Sequence, residues 1–564
     1  MSGVGAATRP TGIERLAPQR RPGSAAAGLR AIPPWTLTAV LGLVYVLLAP
    51  PSSDLAAASY RSALFSSQGF TIWDNGWYAG HHLPAYSLLA PALGALLGPQ
   101  LLAALAMTTA AWLFTLLVRG RFGDRAELLA SLWFALGAAI SLLSNRVPFD
   151  LGLAVGMGSL LAAQRGRWTA AFALALLCPV ASPVAGAFLA LAYLAWGLAG
   201  PRRGLPAALA GAALLPVGVL VVVFPEGGTQ PFAPSAFFPA LAGVLAVAAL
   251  IPAEQRTLRI GALLYGVAMI GAYVLHTPVG GNAERLGALL AGPLAVLLVA
   301  EAPLRSRRML VLLVLLAPLL YWQANAPVSD FAAAVSDPGT SASYYRPLLA
   351  ELRTLGVGYG ATPARVEVVP LTDHFEARWM APAVMLARGW ERQLDTLRNG
   401  LFYDESTPLT AAGYRAWLQR EAVSLIALPD ATLDYSAVGE ARLLRGEGVA
   451  GGAPATGAPP PYLHEIWSSA HWRLFAVAGA APLAQAPAVL RSAGHDAFVL
   501  GAPRAGAFTV RLRFSPYWAP ASAGACVEEA AEGWTRVRAS RPGSVRVVIR
   551  FALSRIFDHG PRCA

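Results

Sequence analysis

The chain has 564 residues, 56% of them hydrophobic and 13% charged, with a mean hydropathy of +0.51. Apolar runs long enough to cross a bilayer recur from Trp35 to Trp322, which excludes an ordinary soluble domain. The formal net charge of +12 comes from 43 basic residues, all arginine in the manner of a GC-rich genome, against 31 acids. Much of that excess sits in short loops between apolar runs, where it reports orientation and not a nucleic-acid partner.

In chain order, residues 1–34 form a basic tail with Arg9, Arg15, Arg20, Arg21 and Arg30. The first apolar run, 35–49, follows that tail as a signal peptide would. No A-x-A cleavage site comes after it, so it is expected to stay as a signal anchor. A loop, 50–98, precedes further spans at roughly 99–118, 126–143, 149–164, 205–223, 237–252, 260–276, 287–300 and 309–323. The segment 168–199 has to begin and end on one side. CPVASP at 178–183 interrupts it, and proline breaks helices, so it reads as two short helices that turn back near the outer face. That makes about eleven crossings in a membrane domain over 35–324.

Arginines cluster in alternate loops: Arg119, Arg121 and Arg125; Arg165 and Arg167; Arg202 and Arg203; Arg256 and Arg259; Arg305, Arg307 and Arg308. The loops between carry few, Arg61, Arg146 and Arg285 among them. The positive-inside rule then predicts a multi-pass plasma-membrane protein with a cytoplasmic N-terminus. The loop 50–98, the 224–236 loop, HTPVGGNAERLG and the C-terminal region fall outside.

Residues 325–446 read as α/β. ARVEVVPL is a predicted strand, APAVMLARGWERQLDTLR a helix, and LTAAGYRAWLQREAVSLIALP a helix followed by a strand. Residues 447–460 form a Gly/Ala/Pro-rich flexible insert. Residues 461–564 are β-rich: FVLGAP, FTVRLRFSPYW, WTRVRAS and SVRVVIRFAL are short strands between turns, as in a β-sandwich. Phe508, Val510, Leu512 and Phe514 share one face. The fold class is therefore a polytopic α-helical membrane domain followed by an extracytoplasmic α/β plus β-sandwich-like region. Cys526 and Cys563, placed outside where disulfides persist, are expected to pair; two buried thiols are the alternative.

The loop 50–98 carries the most varied chemistry in the chain. It reads D-L-x-x-x-x-Y-R-x-x-L-F-x-x-Q-G-F from Asp54, then W-Y-x-G-H-H-L-P-A-Y-S-L-L-x-P from Trp77. With FDLGLAVGMGSLLAAQRGRWTAAFALALLCPVASPVAGAF, and with the C-terminal RFSPYWAPASAGACVEEAAEGWTRVRASRPGSVRVVIRF, this order resembles the GT-C superfamily of polytopic membrane glycosyltransferases. That resemblance implies a polyprenyl-phosphate sugar donor, an envelope glycan or lipid acceptor at the outer face, and an acidic catalytic base just after the first helix, here Asp54. Many members carry two adjacent acids in this loop. Here Asp54 stands alone and the next acid is Asp74, so a bound divalent metal, though a candidate cofactor, lacks its usual pair.

Transfer from a lipid phosphate needs a base, cationic partners for the departing phosphate, and apolar or aromatic surface for sugar and lipid. Asp54 is the candidate base. Asp74, His81 and His82 are candidate donor, phosphate or metal contacts; Trp77, Tyr78 and Tyr86 are candidates for stacking on sugar rings; Arg285, then Arg146, are candidate phosphate partners. Structural roles stand beside these. Asp54 is placed to cap a helix starting at Leu55. The histidines suit a hydrogen-bonded structure, the aromatics an interfacial belt, and Arg285 a pairing with Glu284. Asp373, His374, Glu376 and Arg378 in LTDHFEARWM either line an acceptor cleft or form a solvated, salt-bridged strand end. No G-x-x-x-x-G-K-[ST] is present for an ATP-driven transporter, and the spans hold few ionisable residues for a coupled one. A transporter or lipid flippase, and a non-catalytic glycan-binding protein, remain the alternatives.

Overall fold

The apolar runs fold as the hydropathy pattern dictates. A computed structural model describes residues 32–564 except 202, 304, 361, 405, 450, 451 and 453. The tail arginines and Arg202 therefore lie outside the described residues. The helices of the first part are α1 (Trp35–Leu48), α2 (Leu55–Gln68), α3 (Ala90–Leu97), α4 (Pro99–Val118), α5 (Asp124–Ser141), α6 (Val147–Gln164), α7 (Trp168–Ala181), α8 (Pro183–Ala199), α9 (Gly204–Val223), α10 (Pro234–Leu250), α11 (Arg256–Val274), α12 (Glu284–Val299) and α13 (Arg307–Ser336). Among the described residues, seven helices (α4, α5, α6, α9, α11, α12 and α13) are long and apolar enough to cross a membrane; α1, α7, α8 and α10 are apolar but shorter. The loop 50–98 is itself structured: it holds α2, α3 and the short hairpin β1 (Trp73–Asp74) to β2 (His81–His82).

Proline sits in the first turn of α4, α6, α8 and α10, where its missing N–H costs nothing. The 168–199 segment breaks at Ser182, whose hydroxyl accepts from the Ala185 N–H at 3.4 Å and so starts α8. Small residues let α6, α7 and α8 approach closely. A Cβ on Gly152 would lie 2.7 Å from Ala185, and one on Gly186 would lie 2.5 Å from Pro179. The last helix runs past the expected end at 323 to Ser336 and carries Asp330 beyond the apolar stretch.

The second part begins with α14 (Ala342–Thr354) and contains β3 (Arg365–Val368), α15 (Glu376–Trp379), β4 (Met385–Leu386), α16 (Arg392–Arg398), α17 (Ala411–Arg420), β5 (Val423–Pro429), α18 (Val438–Arg445), β6 (Leu463–Ser468) and β7 (Trp472–Val477). Five strands form one sheet in the order β4-β3-β5-β7-β6, with β4, β3 and β5 parallel and β7 and β6 antiparallel. Two expectations change here. APAVMLARGWERQLDTLR is not one helix: its apolar run is β4, buried at Val384–Ala387, and only Arg392–Arg398 is helical. A short buried run cannot be told from helix by periodicity. The boundary expected at 461 also moves, because β6 and β7 complete the α/β sheet by pairing on β5.

The remaining strands are β8 (Val489–Ala493), β9 (Ala497–Ala502), β10 (Gly506–Arg513), β11 (Trp518–Pro520), β12 (Ala525–Glu529), β13 (Trp534–Ala539), β14 (Gly543–Ile549) and β15 (Arg562–Cys563). They form two antiparallel sheets, β10-β13-β12-β15 and β11-β14-β9-β8, over a shared core that includes Phe508, Val510 and Leu512. Cys526 and Cys563 are disulfide-bonded across β12 and β15; Cys178 is the free cysteine, buried in α7.

One end of the helical part meets the polar part. Val180 O, at the break between α7 and α8, accepts from the Leu88 N–H of the loop 50–98 at 3.0 Å. Val223 O accepts from the Tyr517 hydroxyl at 2.7 Å, Thr229 O from Thr396 at 2.8 Å, and Pro278 O from Gln393 at 3.5 Å. The turns poor in arginine thus share one end with the C-terminal region.

Candidate functional site

Most of the varied loop is locked under the C-terminal region. Asp74 is fully buried and accepts hydrogen bonds at 2.8 Å from the Tyr60 hydroxyl, the Gly76 N–H and His495 Nδ1. Burial opposes its charge, but those donors and His495 hold its carboxyl below the usual range. Trp77 is enclosed between Tyr60, 4.7 Å between centroids, and His81, 5.4 Å away with its ring nearly parallel. Tyr78 takes a left-handed φ of 57° and donates to Glu391 O at 2.9 Å. His82 Nδ1 lies 2.9 Å from the Glu226 carboxylate, its Nε2 lies 3.2 Å from Ser515 Oγ, and Glu226 pairs with Arg398 at 2.9 Å.

These contacts correct part of the sequence reading. Trp77 and Tyr78 leave no free face for a sugar ring, and Asp74 and His82 join the loop to the C-terminal region. His81 is also buried; burial keeps its imidazole below the ordinary value, and both ring nitrogens lack a hydrogen-bond partner. Tyr86 remains half-buried, with Arg61 over its ring at 4.2 Å and Trp390 edge-on at 5.8 Å.

A second group gathers where α2, α6 and α12 begin. Asp54 precedes α2, but its side chain makes no capping bond, so the capping role is absent. Its Oδ2 lies 3.8 Å from Arg146 Nε, and that oxygen accepts no hydrogen bond. Burial raises the Asp54 carboxyl above its ordinary value, the charges of Arg146 and Arg285 pull it down, Asp330 pushes it up, and the net is a rise. Arg285, at the start of α12, stands 5.6 Å over the Phe149 ring of α6.

The sequence reading missed three neighbours. Asp150 is buried in the first turn of α6 with both carboxylate oxygens unpartnered. Asn145, at φ 53°, is buried with its amide unpartnered. Asp330 accepts from Ser144 Oγ at 3.1 Å. The signal for Asn145 and Asp150 was present in S-N-R-V-P-F-D, a polar turn leading into a proline-started helix. Buried polar atoms without partners are uncommon, and several in one place mark a site built for a polar ligand. Three helix N-termini converge there as well, and their dipoles favour an anion.

Immediately below, Phe149 and Leu286, the chain neighbours of Asp150 and Arg285, line an apolar cavity of about 270 Å³ between α6, α8, α10, α11 and α12. Above, Asp373, His374 and Glu376 are buried and do not form a solvated strand end. His374 bonds Glu376 at 3.0 Å and faces Asp434 at 3.6 Å. Asp373 is pushed up to about 7 by burial and then by the charges of Asp337 and Asp330. Among the described residues, no three His, Cys, Asp or Glu side chains are arranged to hold a metal ion.

No family model matches the chain, and no curated protein matches it. Among solved structures it is similar to the archaeal oligosaccharyltransferase AglB from Archaeoglobus fulgidus, solved in complex with an inhibitory peptide and a dolichol-phosphate. The identity is 12%, the match covers 70% of this chain and 69% of that chain, and the TM-score is 0.32. At that level the likeness assigns no residue of this chain a role.

Proposed function

We propose that the chain is a GT-C-like membrane glycosyltransferase that moves a sugar from a polyprenyl-phosphate donor to an envelope glycan or lipid acceptor. The observation that carries this reading is the joining of an under-bonded carboxylate, Asp54, two arginines, Arg146 and Arg285, and an apolar cavity directly beneath them. The prenyl chain occupies the cavity and the phosphate sits against Arg146, Arg285 and the helix N-termini. The acceptor oxygen attacks the anomeric carbon, the carbon–oxygen bond to phosphate breaks, the acceptor proton passes to Asp54, and the phosphate leaves with the bonding pair. A raised carboxyl pKa suits Asp54 to that proton.

In this reading the arginine-poor end faces outside. A reporter active only outside the cytoplasm should work after Ser336 and stay silent after Arg203. Analysis of a deletion strain tests the activity: the envelope glycan should lose one sugar while its lipid-linked donor accumulates. The cavity with a charged mouth also suits a lipid flippase. Purified protein in detergent separates the two, since transfer persists without sealed membranes and translocation does not.

A further inference from the structure

Near its C-terminus the chain leaves an apolar tip uncovered. After β14 it passes through Phe551, the single turn Leu553–Ile556 and Phe557. Phe551, Leu553 and Phe557 are 48%, 73% and 84% exposed. Lone exposed apolar residues are ordinary; three within seven residues on one tip are not.

The place of the tip gives its partner. Phe551 packs 5.1 Å from Tyr517 and 6.2 Å from Phe224, ring centre to ring centre. Phe224 ends α9, and the Tyr517 hydroxyl bonds Val223 O at 2.7 Å in its last turn. Val219, Val221 and Val222 of α9 are exposed up to that same end. The tip therefore continues the lipid-facing surface of a membrane-spanning helix. It is also held in shape: buried Arg555 donates to Pro516 O at 3.1 Å and Gly560 O at 2.6 Å and pairs with Asp558 at 2.9 Å. Exposed Arg550 precedes the tip, placed to meet lipid phosphates.

We propose that residues 551–557 are a membrane-inserting tip: Phe551, Leu553 and Phe557 enter the interfacial layer of the leaflet around α9. The β-sandwich is then held against the bilayer by lipid as well as by its protein contacts. Insertion is shallow, about 5–10 Å, as for other interfacial apolar surfaces.

The test uses the full chain in lipid nanodiscs. Phe557→Cys is labelled with an environment-sensitive fluorophore, background labelling of the wild-type chain is subtracted, and the lipids carry a nitroxide near the headgroup. Phe557 makes little packing contact, so folding is not at risk. The same label at Val489→Cys, on the edge strand β8 at the far side of the sheet from β11, is the comparison. Blue-shifted emission at 557, quenched at least twofold more than at 489, is expected. Water-like emission at 557 overturns the proposal. So does blue-shifted emission that lipid nitroxides fail to quench, which is the result for a second protein chain covering the tip.

Discussion

The Asp54 carboxylate and the Arg146 guanidinium stand 3.8 Å apart, close enough to attract and too far for a hydrogen bond. The pair keeps Asp54 oriented while its Oδ2 stays free to accept a proton. Asp54→Asn should therefore lower sugar transfer by about a hundred- to ten-thousand-fold, the usual loss for a general base. Because no capping bond is present, Asp54→Ala should lower transfer equally and leave the yield of folded protein unchanged. Transfer by purified variants, beside their size-exclusion profiles, checks this; near wild-type transfer by Asp54→Asn would falsify the assignment.

Arg285→Gln and Arg146→Gln should each raise the KM for a lipid-phosphate donor by about ten- to a hundred-fold, the worth of a charge-assisted hydrogen bond. Arg285→Lys should recover part of the loss. Steady-state kinetics with donor varied distinguishes this from a purely structural role, in which kcat and folded yield would fall and KM would hold.

Filling the cavity should separate the lipid chain from the sugar. A Cβ on Gly261 meets Ala195 at 3.5 Å, an ordinary contact, and both residues line the cavity. Gly261→Phe should weaken binding of a full-length prenyl donor about tenfold or more and change little with a donor of one or two prenyl units, since each buried CH₂ contributes about 0.8 kcal/mol. Equal effects on both donors would remove the cavity from the reaction.

His374 sets an alkaline limit on stability. Burial lowers its imidazole, but the neighbouring carboxylates of Asp434 and Glu376 raise it from 6.5 to about 9. A group raised on folding stabilises fully below its unfolded value, and the contribution disappears as pH rises through the folded one. The α/β region should thus lose on the order of 3 kcal/mol between about pH 6.5 and 9. Thermal unfolding of wild type and His374→Gln at pH 6 and pH 10 reads it. The gap between them should close at pH 10, and a constant gap would refute the linkage.

The Cys526–Cys563 disulfide, spanning a sequence separation of 37, should contribute about 2–4 kcal/mol by restricting the unfolded chain. Peptide mapping without reductant should recover the linked pair, and Cys526→Ser with Cys563→Ser should lower the unfolding midpoint of the sandwich.

The membrane helices, the sandwich strands and the break at 178–183 were legible because each follows from hydropathy, alternation or proline. β4 was not, since four buried apolar residues look alike in either conformation. Asp54, Arg146 and Arg285 were legible as polar residues at span ends, whereas Asp150 was hidden by counting as the first turn of a span. The burial of Tyr78 and Asp74 was illegible because Glu391 and His495, which bond them, lie hundreds of positions away.

That distance has a consequence for how the protein is made. Asp74 and its partner His495 are separated by 421 positions. At a ribosomal pace of about 5–20 residues per second, the loop waits tens of seconds before its partner is synthesised. During that interval Asp74 lacks His495, and His82 lacks Ser515. A chain stopped short of the sandwich should leave the ribosome with its helices inserted and this loop open to proteases, a vulnerability that ends only when the last quarter of the polypeptide closes over it.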